Sequence, residues 1–319
     1  MTTTTNAGMR VLCALGVGEI AFIERDADAA GPGEIAGMTL FTLISAGTEL
    51  AMSALPREQP MSLGYAAVFR VDELGEGVTD WAVGDVAFAI APHATRQRVA
   101  TGQAIRCDPS LDPGTATFAR IMNIALSALS SARPAVGAVV GVSGLGVVGQ
   151  IAARVSVASG FRTVAADVAE SRRALCPPGI AVAADLPASS LDLVLECTGH
   201  ESRVIAAAGS LREGGELSLV GVPWRPRDAG ALHPLMDLVF HRYLTVRSGW
   251  EWQVPWEAGT GGSLPSMREQ LSLAVRWLTD GVVRVDDLAE TISASKAPWA
   301  YDALRRREAP RLTYLLDWT

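Results

Sequence analysis

The chain has 319 residues, a formal net charge of −7, 49% hydrophobic residues and 19% charged residues. That length exceeds what one core usually organises, which predicts two domains, and the composition excludes a disordered chain. An acidic balance without a long basic run argues against a nucleic-acid partner; no apolar run approaches the ~20 residues of a bilayer span, and MTTTTNAGMR lacks a signal-peptide core, so the expectation is a cytoplasmic protein with no membrane partner.

Residues Met1 to Asn6 read as a frayed tail. Val11 to Glu24 alternates as two strands of a hairpin, with a turn near Gly16 to Glu19. Gly31-Pro32-Gly33 is a turn, and Glu34 to Ser45 is rich in strand formers, ending at Ile44-Ser45-Ala46-Gly47-Thr48-Glu49. Leu63 to Val71 reads as a strand entered through Gly64, Val83-Gly84-Asp85 as a turn, and His93 to Ala100 as the approach to another strand. Short strands punctuated by Gly and Pro predict a small, partly open β-barrel for the first hundred residues. Pro113 to Leu129 turns helical, with Phe118, Ile121, Met122 and Ala125 on one face. Cys13, Cys107, Cys176 and Cys197 show no C-x-x-C spacing and read as buried apolar thiols.

The most informative stretch is Ala138 to Asp167. The apolar run Ala138 to Val142 has the character of a buried parallel strand. Gly144-Leu145-Gly146-Val147-Val148-Gly149 follows, a full G-x-G-x-x-G, and Val148, Ile151, Ala152 and Val155 then take helical spacing. Phe161 to Ala166 is a second strand, closed by Asp167, 18 residues after Gly149. The first glycine allows a tight turn, the second lets backbone approach a pyrophosphate, and the third lets helix and strand pack closely. The free N–H groups of the helix start suit phosphate, and a carboxylate at Asp167 suits the hydroxyls of an adenosine ribose. Beyond it, strands are predicted at Leu191 to Cys197, Gly215 to Val220 and Leu244 to Ser248, and helices at Glu201 to Ala208, with Gly209 as the stop, and at Leu235 to Phe240. Strand ends at Thr198-Gly199 and Val220-Gly221-Val222 lie where open α/β sheets bind ligands. Gly249 to Ser263 is a Trp- and Gly-rich loop, Met267 to Leu278 and Ala297 to Arg306 are helices, and Arg311 to Trp318 is the last strand. The alternation of strands and helices predicts a doubly wound parallel sheet in an α/β fold.

GTE at 47–49, VGD at 83–85, the glycine fingerprint, ECTG at 196–199, REGGELSLVGVP at 212–223 and the closing RLTYLLDW together resemble the medium-chain dehydrogenase/reductase superfamily along nearly the whole chain. The likeness is nearest to the short branch of bacteriochlorophyllide hydroxyethyl dehydrogenase-like and sorbitol dehydrogenase-like proteins. It implies a GroES-like β-barrel catalytic domain (1–121), a Rossmann dinucleotide-binding domain (122–249) and a return to the barrel (250–319), with the active site in the cleft between domains. Zinc-dependent members carry ligands at positions that here read Ala46, Tyr65 and Ala119, and a four-cysteine lobe where Val86 to Val99 has none. Alanine offers no ligand atom, so the resemblance implies a zinc-independent member with no metal site.

On the same resemblance, Thr48 is the proton-relaying hydroxyl or a turn hydroxyl. Tyr65 is a donor facing the cleft or a packing tyrosine. Glu49 is a carboxylate that orients either of them, or a surface salt bridge. His93 approaches the substrate pocket, where its chemistry suits proton transfer near neutral pH, or is structural. Asn123 lies near the nicotinamide face or on a helix surface. Val148 packs near the nicotinamide, Arg172 lies near the adenosine, and Arg311 meets the pyrophosphate or is an exposed barrel charge. Asp167 favours NAD, with NADP left open by Arg172 and Arg173. Trp250, Trp252 and Trp256 line a substrate pocket, sit in the core or form a dimer contact. Leu244 to Arg247 is a candidate sheet edge for a homodimer. The expected activity is hydride transfer between nicotinamide and a secondary alcohol or ketone of a small-molecule substrate, such as a sugar, cyclitol or secondary metabolite. An NADPH-dependent enone or quinone reductase and a non-catalytic dinucleotide-binding protein are the alternatives.

Overall fold

The computed structural model describes residues 8–226, 232–258 and 265–319, so the predicted N-terminal tail and part of the Trp-rich loop lie outside the described residues. The chain divides into two compact units: residues 1–120, 275–280 and 285–319, and residues 121–274 and 281–284.

Unit one is built from β1 (Met9–Gly16), β2 (Glu19–Arg25), β3 (Glu34–Leu43), α1 (Ala46–Ser53), β4 (Met61–Ser62), β5 (Ala67–Leu74), β6 (Val86–Ala89), β7 (Arg96–Ala100), β8 (Ala104–Arg106) and α2 (Pro113–Ala116). One antiparallel sheet has the order β2-β1-β4. Its β1–β2 hairpin is the one the alternation predicts. Arg10 pairs with Glu24 and Val11 with Ile23, so Val11 and Cys13 share a buried face with Ala94. The helix α3 (Ala119–Ala132) begins in unit one and continues into unit two.

Unit two starts its sheet with β9 (Val139–Ser143), followed by α4 (Val147–Ala158), β10 (Arg162–Ala166), α5 (Glu170–Arg173), β11 (Ala181–Ala183), β12 (Leu191–Glu196), α6 (Glu201–Ser210), β13 (Leu211–Leu219), α7 (His233–His241), β14 (Thr245–Ser248) and α8 (Met267–Thr279), whose last turn belongs to unit one. The six strands are all parallel, in the order β11-β10-β9-β12-β13-β14. This is the doubly wound order, whose crevice opens where strand succession reverses, between β9 and β12. All five residues of β9 are buried, as a central parallel strand covered on both faces requires. Leu191, Val194, Leu211 and Leu217 pack with Ala207, Ala208 and Leu244 in its core, each large side chain contributing about 1.5–3 kcal/mol on burial. The chain then returns to unit one through β15 (Ala289–Ser293), α9 (Ala297–Arg306) and β16 (Thr313–Asp317). These join the second sheet, in the order β15-β16-β3-β5-β6-β8 with β7 paired to β3. The result is an α/β fold with a Rossmann-type parallel sheet and a separate antiparallel and mixed sheet region.

Several local expectations are corrected. The stretch after Leu43 is not a strand end but α1, because Glu49 reaches back to accept the N–H of the N-cap residue Ser45 at 2.6 Å. An acid in the first turn also faces the positive helix end. The strand predicted from Leu63 begins only at Ala67. The segment Pro113 to Leu129 forms two helices, since Thr117, Phe118 and Arg120 make three-residue turns between them. Nor does α3 show a single apolar face; residues 121–129 are buried all round. Gly209 does not stop α6, which runs to Ser210. The chain turns extended at Leu211, which pairs with Leu191, and a register shift across β12 absorbs the extra residues before Glu216. Cys176 and Cys197 are only partly buried, while Cys13 and Cys107 are buried. Among the described residues no helix is long and apolar enough to cross a membrane.

Candidate functional site

In unit two, Gly144 leaves β9 with φ +87°, a conformation that disfavours any side chain. A Cβ on Gly149 would sit 1.7 Å from the Gly144 carbonyl oxygen, so the first turn of α4 lies directly on the strand's exit. Gly146 is the N-cap of α4, carries no capping side chain, and has no atom within 4 Å of where a Cβ would stand. The first N–H groups of a helix have no partner within it. With open space beside Gly146, this helix start can accept a phosphate group. Val147 and Val148 follow, both half-buried.

The loops around this turn are tied by carboxylates. Asp167 Oδ2 accepts the Leu145 N–H at 2.8 Å, and Oδ1 accepts the Ala169 N–H at 2.8 Å. The Arg172 guanidinium lies 3.4 Å from Oδ2, and Arg173 donates to the Asp167 carbonyl at 2.7 Å. Each carboxylate oxygen can accept a further hydrogen bond, so Asp167 can hold Leu145 and still receive a ribose hydroxyl. Glu196, which sequence reasoning quoted but gave no role, ends β12 and is fully buried. Its Oε1 accepts the Thr198 N–H at 2.9 Å and the Thr198 hydroxyl, and Oε2 accepts the Gly199 N–H at 3.0 Å. Its own carbonyl accepts the N–H groups of Val220 and Gly221. Burial pushes the Glu196 carboxyl upward, against the pull of these hydrogen bonds. One residue thus fixes both strand-end loops, 198–199 and 220–222, and Val222 is exposed at the tip. The signal for it was the acid that closes LDLVLE after the apolar Leu193-Val194-Leu195.

Asn123 is fully buried rather than on a helix surface, and its amide donates to Gln270 Oε1 at 2.9 Å, which also accepts from Ser127. Trp250 and Trp252 are exposed, which removes the core reading for both; the loop beyond residue 258 lies partly outside the described residues. Phe240, Tyr243 and Val246 are exposed near β14, the edge strand of the parallel sheet.

In unit one a second cluster forms from distant segments. Glu49 is buried, not a surface ion-pair partner. Its Oε2 accepts from Tyr301 Oη on α9 and faces His93 Nε2 at 3.1 Å, while Oε1 holds the Ser45 N–H. Tyr65 Oη donates to Ser45 Oγ, and Thr48 also favours the ionised phenol. The Arg120 guanidinium carbon stands 5.0 Å from the centre of the Tyr65 ring. Burial and then the Glu49 charge push the Tyr65 phenol upward, while Ser45, Thr48 and Arg120 pull it down. Tyr301 is driven well above the usual tyrosine range, first by burial and then by Glu49.

His93 is fully buried and its Nε2 faces Glu49; among the described residues its Nδ1 has no hydrogen-bond partner. Thr48 and Tyr65 are half-buried. Sequence reasoning picked out Thr48, Glu49, Tyr65 and His93 but missed Ser45, Arg120 and Tyr301, for which no motif gave a signal. Arg311 is exposed and donates to the Asp287 carbonyl at 3.1 Å. Among the described residues, no group of three or more His, Cys, Asp or Glu is placed to hold a metal ion. Burial pushes the Cys107 thiol up to about 12, and Cys197 well above its ordinary value, so neither supplies a thiolate near neutral pH.

No family model matches the chain, and no curated protein does. Solved structures share its fold. Galactitol-1-phosphate dehydrogenase from Escherichia coli superposes with a TM-score of 0.82 at 18% identity, covering 97% of this chain and 99% of that one. Acetophenone reductase from Geotrichum candidum NBRC 4597, in complex with NAD, gives 0.80 at 12% identity, covering 99% and 98%. A short chain alcohol dehydrogenase from Escherichia coli CFT073, complexed with NADH, gives 0.77 at 14% identity, covering 98% and 99%. At such identities the likeness is one of fold.

Proposed function

We propose that this chain is a zinc-independent, NAD(H)-linked alcohol dehydrogenase or ketoreductase acting on a secondary alcohol or ketone. The observation that carries the reading is the glycine turn at 144–149, with its open helix start and Asp167 beside it. A dinucleotide fits this turn. The N–H groups of 146–148 would hold its phosphates, Asp167 its ribose, and the 198–199 and 220–222 loops would flank the remainder. When bound, it supplies or takes the hydride.

The residues present do not fit a catalytic zinc: Ala46 and Ala119 lack ligand atoms, which leaves Tyr65 alone of the three positions. In this reading Tyr65 carries the proton. In reduction its phenol turns its O–H from Ser45 Oγ to the substrate oxygen, and Ser45 keeps the hydroxyl in position. Glu49 fixes Ser45 through its backbone, and Tyr301 and His93 fix Glu49. That two neighbours of like fold are a ketone reductase and a sugar-phosphate dehydrogenase supports the reaction class. An NADPH-linked reductase is the second reading, favoured by Arg172 at 3.4 Å from Asp167, where a 2′-phosphate would find a cation. A small-molecule substrate, a cytoplasmic setting and a homodimer paired along β14 complete the proposal.

The test is nucleotide oxidation by chelator-treated protein across a panel of ketones, run with NADH and with NADPH. Turnover with NADH in metal-free protein is expected. Loss of activity on chelation with recovery on added zinc would overturn the metal-free reading, and a preference for NADPH would reverse the cofactor order. Sedimentation at micromolar concentration tests the dimer.

A further inference from the structure

Arg120 has no place in the reading so far. It is among the largest fully buried side chains in the protein, and it sits at the start of α3. A buried guanidinium is costly unless a group of opposite or complementary charge faces it. Its carbon lies 5.0 Å from the centre of the Tyr65 ring, within cation–π range. Tyr65 is also the phenol whose hydroxyl is held by Ser45.

We propose that Arg120 is a positioning residue that stabilises the Tyr65 phenolate by holding a positive charge against its ring. The proposal rests on Tyr65 being the proton carrier. In reduction the Tyr65 O–H bond breaks, the proton goes to the substrate oxygen, and the electron pair stays on the ring as a phenolate. In alcohol oxidation the phenolate takes the proton back. Arg120 touches no reacting atom in this scheme; it acts through the ring. An anionic ring attracts a guanidinium more strongly than a neutral one, so the contact favours the phenolate over the phenol. The other titratable groups near the phenol are Glu49 on α1, whose charge opposes ionisation, Tyr301 on α9, which stays protonated, and His93, which reaches it only through Glu49. The Arg120 charge favours ionisation of this phenol and the Glu49 charge opposes it.

The test is an ultraviolet titration of tyrosinate in the nucleotide-free protein. The Tyr65→Phe variant isolates Tyr65 from the other three of the four tyrosines. In Arg120→Met the Tyr65 transition is expected to move to higher pH, and alcohol oxidation at mildly alkaline pH to fall about tenfold. Arg120→Lys, which keeps the charge, is expected to stay near wild type on both readings. If Met at this position does not fold, as far-ultraviolet circular dichroism would show, Arg120→Gln takes its place. Glu49→Gln should move the Tyr65 transition the opposite way. An unmoved transition in the neutral variant, or an equal shift in Met and Lys, would overturn the proposal, the latter by showing a role in packing alone. Because the titration needs neither nucleotide nor substrate, it still decides the matter if no dehydrogenase activity is found. Activity with an unmoved titration would sink this proposal and leave the proposed reaction standing.

Discussion

In unit two the proposed binding groups are main-chain N–H groups, and one short stretch of chain, 144–149, presents them beside a single carboxylate. In unit one the polar cluster is made of side chains from residues 45, 48, 49, 65, 93, 120 and 301, gathered from both ends of unit one's sequence. The first arrangement depends on the absence of side chains, the second on their precise company. The backbone cradle needs only glycine spacing and one acid. The side-chain cluster is built residue by residue, and it gathers a phenol, two hydroxyls and a buried cation.

That contrast can be broken at either end. The largest effect is expected at Gly149. A Cβ there meets the Gly144 carbonyl at 1.7 Å, so Gly149→Val should abolish dinucleotide binding, measured by calorimetry, and destabilise unit two by several kcal/mol. Gly146→Ala sharpens the point. It meets no atom, so melting should be nearly unchanged while nucleotide affinity drops about tenfold or more, because the methyl would occupy the approach of the phosphate.

On the other side, Tyr65→Phe should lower kcat by about 10²–10⁴-fold with little change in nucleotide affinity. Since burial and Glu49 raise the phenol, ketone reduction in the wild type should be flat through neutral pH and decline only above the ordinary tyrosine value of about 10. The sign for stability is the same. A raised folded-state value contributes stability below about pH 10, and that contribution is lost as pH rises toward the folded value, so Tyr65→Phe should flatten the alkaline arm of the melting curve.

Glu49→Gln leaves one of three converging donors facing an amide N–H. We expect about 1–3 kcal/mol lower stability by denaturant titration and a smaller loss of kcat than Tyr65→Phe shows. The smallest effect is expected for Asp167→Asn, a shift of about tenfold from NADH toward NADPH in kcat/KM, with the Leu145 N–H still accepted.

Much of unit two was legible before any coordinates. Strands 139–143, 162–166 and 191–196 fall close to where the sequence places them, because parallel strands covered on both faces are largely apolar. Glu196 was harder to read, since its role depends on which two loops meet at the strand's end. In unit one the hairpin and α9 follow local periodicity, but α1 does not. Residues 44–49 read only as the end of the preceding strand, and the carboxylate of Glu49 closes on the Ser45 N–H at the start of a helix there.

The sequence by itself determined that a glycine turn opens a helix behind a buried strand and that an acid closes the next strand, because those features obey spacing within about 30 residues. It also determined that no ligand atoms stand at 46 and 119. Only the tertiary structure decided that Tyr301, 252 residues from Glu49, completes its hydrogen bonds, that His93 acts inward, and that Arg120 lies over Tyr65. Contacts made across such distances depend on how sheets and returning helices pack, and no local pattern of residue types records that packing.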